Sequence, residues 1–142
     1  MITEDYVSFE VAKLLKEKGF DGECRAFWKD WNGEIRLCSC NNAHMFEYCH
    51  NSMLERYNDA EETNIAAPTL QMAMKWLREV HRIHISITPL SFEDGIFWMY
   101  KIIKLWSDNN CSELHRSDSR VGFNTYEAAC EAAIKYCLEN LI

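Results

Sequence analysis

The sequence predicts an α+β fold made of two α-β-β units and a C-terminal helix, with an antiparallel sheet of about four strands and helices packed on one face. Three observations predict it. Three helix-like runs each follow a hydroxyl, an apolar residue and then Glu or Gln: Ser8-Phe9-Glu10, Thr69-Leu70-Gln71 and Thr125-Tyr126-Glu127. A hydroxyl at an N-cap accepts from an orphan backbone N–H, and an acid in the first turn suits the positive end of the helix dipole. After the first two runs come strand-like segments in pairs, and helices lying on an antiparallel sheet are the economical way to bury such hairpins.

The first helix is expected from Ser8 to Lys18. Val7, Val11, Leu14 and Leu15 share one face, Glu10, Lys13, Lys16 and Glu17 the other, and Gly19 is a natural stop. Two short runs follow, Glu23 to Trp31 and Glu34 to Cys40, joined at Asn32-Gly33. Asn-Gly between strand-like runs is a strong hairpin signal because both positions tolerate positive φ. Residues 41–65 carry no clear period and read as a long loop or insertion, with room for a short helix between Met45 and Tyr57. The second helix runs from Thr69 to His81 with Leu70, Ala73, Leu77 and Val80 on its apolar side. His84 to Thr88 alternates as a strand that Pro89 should end, and Ile96 to Leu105 is a second strand rich in aromatic and β-branched residues. Residues 107–120 read as a polar loop. The last helix, Tyr126 to Asn140, has a polar stripe of Glu127, Glu131, Lys135 and Glu139 opposite Ala129, Cys130, Ala133, Ile134, Cys137 and Leu141.

The whole, residues 1–142, reads as one domain. At 48% apolar and 26% charged residues the chain is globular rather than disordered. A net charge of −7 argues against nonspecific duplex binding, which depends on neutralising phosphates. The acidic start Met1-Ile2-Thr3-Glu4-Asp5 has no basic, apolar leader, and the run from Ile96 to Trp106 is too short to span a bilayer. Seven Cys in no regular framework then suggest reduced thiols and a cytoplasmic protein without membrane contact.

Three blocks carry a resemblance. They are Tyr6-Val7-Ser8-Phe9-Glu10 through Gly19-Phe20-Asp21, Ala66-Ala67-Pro68-Thr69-Leu70-Gln71 through His84-Ile85, and Thr125-Tyr126-Glu127-Ala128-Ala129. Together they resemble a family of small uncharacterised proteins of Bacteroides-type gut bacteria and their phages or mobile elements. The resemblance covers roughly a third of the chain. It implies an accessory role tied to a phage or mobile element and brings no active site, cofactor or functional residue with it.

Three constellations carry candidate chemistry. Cys38, Cys40, His44 and Cys49 offer the soft thiolates and imidazole that tetrahedral zinc takes, but no second Cys-x-x-Cys knuckle follows, and buried inert thiols are the simpler reading. Lys75, Arg78 and Arg82, spaced three and four apart, would form a basic stripe on the second helix, suited to phosphate or RNA; a solvated helix face is the plainer account. The aromatics, with Trp28 on the first hairpin and Trp98 and Tyr100 on the second, exceed what the helix-facing side of a sheet hides, so some should meet a partner. Cys111 and His115 fall near each other in sequence, but no nucleophile elbow, phosphate loop or metalloprotease motif is present. The expectation is a non-enzymatic protein with no cofactor, binding another protein or itself as a homodimer through an aromatic sheet face. The alternatives are nucleic-acid or nucleotide binding through the basic stripe, and a zinc-supported fold.

Overall fold

The computed structural model describes residues 1–40 and 47–142. The α+β class holds. Among the described residues, helices α1 (Phe9–Glu17), α2 (Asn51–Leu54), α3 (Leu70–His81) and α4 (Tyr126–Asn140) accompany strands β1 (Ala26–Trp31), β2 (Glu34–Ser39), β3 (Glu62–Ala66), β4 (Ile83–Phe92), β5 (Gly95–Ser107) and β6 (Asn110–Arg116). The strands form two antiparallel sheets of three, ordered β2-β1-β3 and β4-β5-β6, in place of one sheet of about four. Within the span read as one domain, the chain clusters into two compact units, Met1–Gln71 and Met72–Ile142, and α3 crosses from one to the other.

In the first unit Ser8 caps α1, its hydroxyl accepting from the Val11 N–H at 3.2 Å. Val7, Val11, Ala12 and Leu15 are buried. The helix stops where Gly19 enters the left-handed region at φ 93°. The Gly19 N–H then donates to the Lys16 carbonyl and the Phe20 N–H to the Leu15 carbonyl, a Schellman closure with Phe20 and Leu15 buried together at its end. Asn32 and Gly33, at φ 51° and 86°, make the tight turn between β1 and β2, pairing Trp31 with Glu34. The segment read as a long loop over 41–65 is the first correction. Residues 41–46 lie outside the described residues, and the rest holds a short helix, α2, within the expected Met45–Tyr57 span, a 3₁₀ turn over Glu55–Tyr57 and most of β3, the strand the loop reading missed. Both α1 and the α2 segment pack against β3.

In the second unit β4 continues through Pro89 to Phe92, a second correction. Pro89 is tolerated because β4 is an edge strand and its neighbour Trp98 directs its own N–H and C=O to Phe123 at 2.8 Å, so no ladder bond is lost. The segment read as a polar loop over 107–120 holds β6, a third correction. Beyond β6 the chain stays beside β5: Ser117 is buried because its hydroxyl accepts from the Tyr100 N–H while its own N–H donates to the Tyr100 carbonyl. Thr125 caps α4 through the Ala128 N–H at 3.0 Å. Helix α4 packs on β4 and β5 and buries Ala129, Cys130, Ala133, Ile134, Cys137 and Leu138; Leu138 takes the inward position expected of Leu141. On α3, Val80 is 58% exposed rather than on the buried side, where Met74 stands instead. No helix among the described residues is long and apolar enough to cross a membrane.

Candidate protein-binding edge

A three-stranded sheet has two edges, and those of the first sheet differ. A tight two-residue turn makes Trp31 and Glu34 the last hydrogen-bonded pair of the β1–β2 hairpin. Pairs alternate from there, so Lys29 with Arg36 and Phe27 with Cys38 also bond inward, while Ile35 and Leu37 turn their N–H and C=O away from β1. On the opposite side, β1 uses Trp28 and Asp30 to bond β3, which leaves Glu62, Asn64 and Ala66 with outward amides.

Those β3 amides are all capped. The Glu62 N–H donates to the Asp59 carboxylate at 2.8 Å, the Asn64 N–H to Asn58 Oδ1 at 2.7 Å and the Ala66 N–H to Asn51 Oδ1 at 2.9 Å. Asn51 is itself buried and donates to the Phe20 carbonyl at 2.8 Å. Residues 51–59 therefore lay three short polar side chains along β3 and close that edge.

Among the described residues, edge β2 has no such cover: no strand or side chain meets the outward groups of Ile35 and Leu37, and these side chains are 44% and 43% exposed. Strand alternation places them on one face of β2 and Glu34, Arg36 and Cys38 on the other. That second face, with Lys29 and Trp31 of β1, lines a shallow depression of about 300 Å³. Lys29 is held there by Glu62 at 2.7 Å, Arg36 pairs with Glu34 along its own strand, and Trp31 is 56% exposed. An exposed apolar strand with an unpaired edge is a template for another strand.

The residues expected to bind are placed differently. Trp28 is half-buried: its indole N–H donates to the Val7 carbonyl at 3.0 Å and its ring meets Phe9 edge-on. Tyr100 is buried beside Phe123 and His115, and Trp98 packs edge-on to Tyr126 at 5.6 Å. These three rings are packing residues, and the exposed aromatic ring of the first hairpin is Trp31. Lys75, Arg78 and Arg82 do not make one stripe. Arg82 lies past the end of α3 at φ 60°, donating from Nε to the Leu105 carbonyl and pairing with Asp108 at 3.7 Å, while Lys75 pairs with Glu79 at 3.9 Å.

The thiols separate as well. Cys40 and Cys49 come together, Sγ to Sγ 3.3 Å, with Cys24 bridged to Cys49 through the backbone. All three are buried, and burial, reinforced by the neighbouring Cys40 sulfur, pushes the Cys24 thiol up to about 12. Burial likewise raises Cys49 and Cys40, keeping these sulfurs protonated and poorly nucleophilic. Cys38 bonds instead back to the Arg36 carbonyl on the exposed face, and His44 lies outside the described residues. His50 turns to Ser52 and Asp21, at 2.8 and 3.5 Å. No group of three or more His, Cys, Asp or Glu among the described residues is arranged to hold a metal ion.

Cys111 and His115 stand four residues apart on β6, about 13 Å along an extended strand. The His115 ring is stacked on Tyr136 at 3.8 Å, so the two do not form a nucleophile–base pair. His81, at the end of α3, has a buried Nε2 without a hydrogen-bond partner, and burial followed by the nearby Lys104 charge lowers its pKa.

The capped and bare edges were missed by sequence reasoning. The signal was present: Asn51, Asn58, Asp59 and Asn64 are short side chains of the kind that bond nearby backbone, and they cluster around one strand. No protein-family model, curated protein or solved structure matches the chain.

Proposed function

We propose that this is a small accessory protein that acts by binding a protein partner, taking an added strand on the open edge of β2. The observation that supports this reading is the difference between the two edges of one sheet: β3 is capped along its length, whereas on β2 the outward backbone groups of exposed Ile35 and Leu37 meet no partner among the described residues. Strand addition draws affinity from main-chain hydrogen bonds and selectivity from alternate side chains, here Ile35 and Leu37 on one face and Glu34 and Arg36 on the other. A binding role also accords with an accessory protein of a phage or mobile element, the role implied by the resemblance of the helical blocks.

The test uses Leu37→Pro. Its N–H points away from β1, so proline removes an outward donor and spares the hairpin ladder. Amide exchange by NMR should find Ile35 and Leu37 fast and Glu62, Asn64 and Ala66 slow in dilute wild-type protein. Partners held by wild-type protein in native lysate should be lost with the Leu37→Pro variant. Protected β2 amides in the dilute protein, or a partner set indifferent to the variant, overturn the reading.

A further inference from the structure

We infer that the strand added to β2 is β2 of a second copy, pairing antiparallel about a two-fold axis at Ile35; this rests on the open-edge reading above. The charge pattern of the strand selects the occupant. In a two-fold pairing centred on Ile35, position 34 of one copy faces position 36 of the other, so each Glu34 meets an Arg36 and each Arg36 a Glu34. Moving the centre to Arg36 would place two guanidinium groups opposite each other.

The other features of the strand agree with that register. Ile35 is one of the two residues with outward backbone groups, so Ile35 against Ile35 is a hydrogen-bonded pair joining the sheets. On the same face the two Ile35 side chains, each 44% exposed, meet across the axis. Leu37 then falls beside the Asn32-Gly33 turn of the other copy, outside β2, where the Gly33 N–H already donates to Asp30 Oδ1 at 2.9 Å, so the paired stretch is Glu34 to Arg36. Glu34 and Arg36 already pair within the strand, on the face bearing Lys29 and Trp31. Dimerisation converts two separate ion pairs into one four-membered alternating group.

The capped edge determines where assembly stops. A sheet with two open edges grows into a filament, whereas one with a single open edge closes as an isologous dimer. With Asp59, Asn58 and Asn51 occupying the β3 amides, β2-to-β2 pairing of this sheet ends at two copies. A strand this short makes a small interface, so the dimer should be concentration-dependent.

The experiment is sedimentation equilibrium across a concentration series on wild-type protein, Arg36→Glu, Glu34→Arg, and an equimolar mixture of the two variants. Wild-type protein should approach a dimer. Each single variant places like charges opposite each other and should lose it. The mixture should regain it, because a strand with carboxylates at both positions 34 and 36 then faces a strand with guanidinium groups at both. Slow exchange at Glu62, Asn64 and Ala66 verifies that each variant keeps its sheet.

A wild-type chain that stays monomeric at the highest concentration overturns the inference, as do single variants that dimerise like wild type or a mixture that remains monomeric. Fast Ile35 and Leu37 amides in a persistent monomer would overturn self-pairing while leaving the edge open to a different protein. Slow ones would remove both readings.

Discussion

The β3 and β2 edges of the first sheet belong to strands of five and six residues with the same central neighbour. Along β3 every second amide meets a side-chain oxygen from residues 51–59, and the strand buries Asn64, Ile65 and Ala66. Along β2 the outward groups of Ile35 and Leu37 meet nothing described, and five of the six residues are exposed. A sheet edge is closed by polar atoms at the spacing of alternate residues, and apolar cover is not required. A few Asn and Asp residues thus separate an edge that is part of the fold from one available for binding.

The largest effect is expected at the buried cap. Asn51→Ala removes the acceptor of the Ala66 N–H and the donor to the Phe20 carbonyl together. Losing both bonds of one buried side chain should cost about 2–4 kcal/mol. Denaturant unfolding followed by amide exchange of the first unit measures it. If the loss is below about 0.5 kcal/mol, water replaces the cap, and β3 is no better closed than β2.

A smaller loss is expected from Asn58→Ala. The side-chain oxygen Asn58 Oδ1 accepts from both the backbone and the side-chain nitrogens of Asn64, at 2.7 and 3.2 Å, but Asn58 itself is only half-buried. A cost of about 1 kcal/mol follows, with the Asn64 amide becoming fast to exchange while Glu62 and Ala66 stay slow. Such a variant gives β3 one bare amide in the manner of β2, and a shift from dimer to larger assemblies would show how few caps hold the difference.

Thiol labelling sharpens the same contrast without a mutation. Cys38 on β2 is half-exposed and Cys111 exposed, whereas Cys24, Cys40, Cys49, Cys130 and Cys137 are buried. Burial pushes the Cys137 and Cys130 thiols to about 12 and about 11. A thiol reagent followed by peptide mass spectrometry should modify Cys38 and Cys111 first and the other five only on unfolding. In the dimer, Cys38 should slow relative to Cys111. Early labelling of Cys40 or Cys49 would contradict the buried cluster.

These contrasts also show how much the sequence made legible. The helices with caps and full periods were readable: α1, α3 and α4 lie within a residue or so of their expected limits, and Asn32-Gly33 marked the first turn. The missed strands, β3 and β6, are edge strands. Glu62-Thr63-Asn64 and Asn110-Cys111-Ser112-Glu113 lack apolar alternation because an edge exposes more than one side to water or to capping side chains. Pro89 misled for a related reason, since a proline ends a central strand but is tolerated in an edge. For the candidate site the sequence showed the residue types and not their destinations. Trp28, Trp98 and Tyr100 were chosen as aromatics in strands, but which ring is covered depends on neighbours distant in sequence: Val7 and Phe9 for Trp28, Tyr126 for Trp98, Phe123 for Tyr100. Trp31 is left outside by its place beside the turn.

The smallest expected effect concerns Glu62, one step removed from the caps. Its carboxylate pairs with Lys29 at 2.7 Å and accepts from the Asn64 side-chain amide at 3.3 Å, helping to orient the residue that Asn58 caps. The hydrogen bond from Lys29 is the main cause holding its carboxyl below the ordinary 4.5, with burial opposing and Asn64 assisting. A pKa depressed by folding means that the unfolded chain binds more protons near that pH. The stability Glu62 contributes is therefore full above about 4.5 and is lost as pH falls through the lower folded value. For a pair this near the surface the contribution should stay under about 1 kcal/mol. Unfolding midpoints measured from neutral pH down to pH ~3 should fall more for wild-type protein than for Glu62→Gln, the two curves converging at the acid end. Parallel curves would mean that the Asn58 cap alone orients Asn64. A gap that widens toward acid would reverse the sign and place Glu62 among residues that the fold holds against their preference for water.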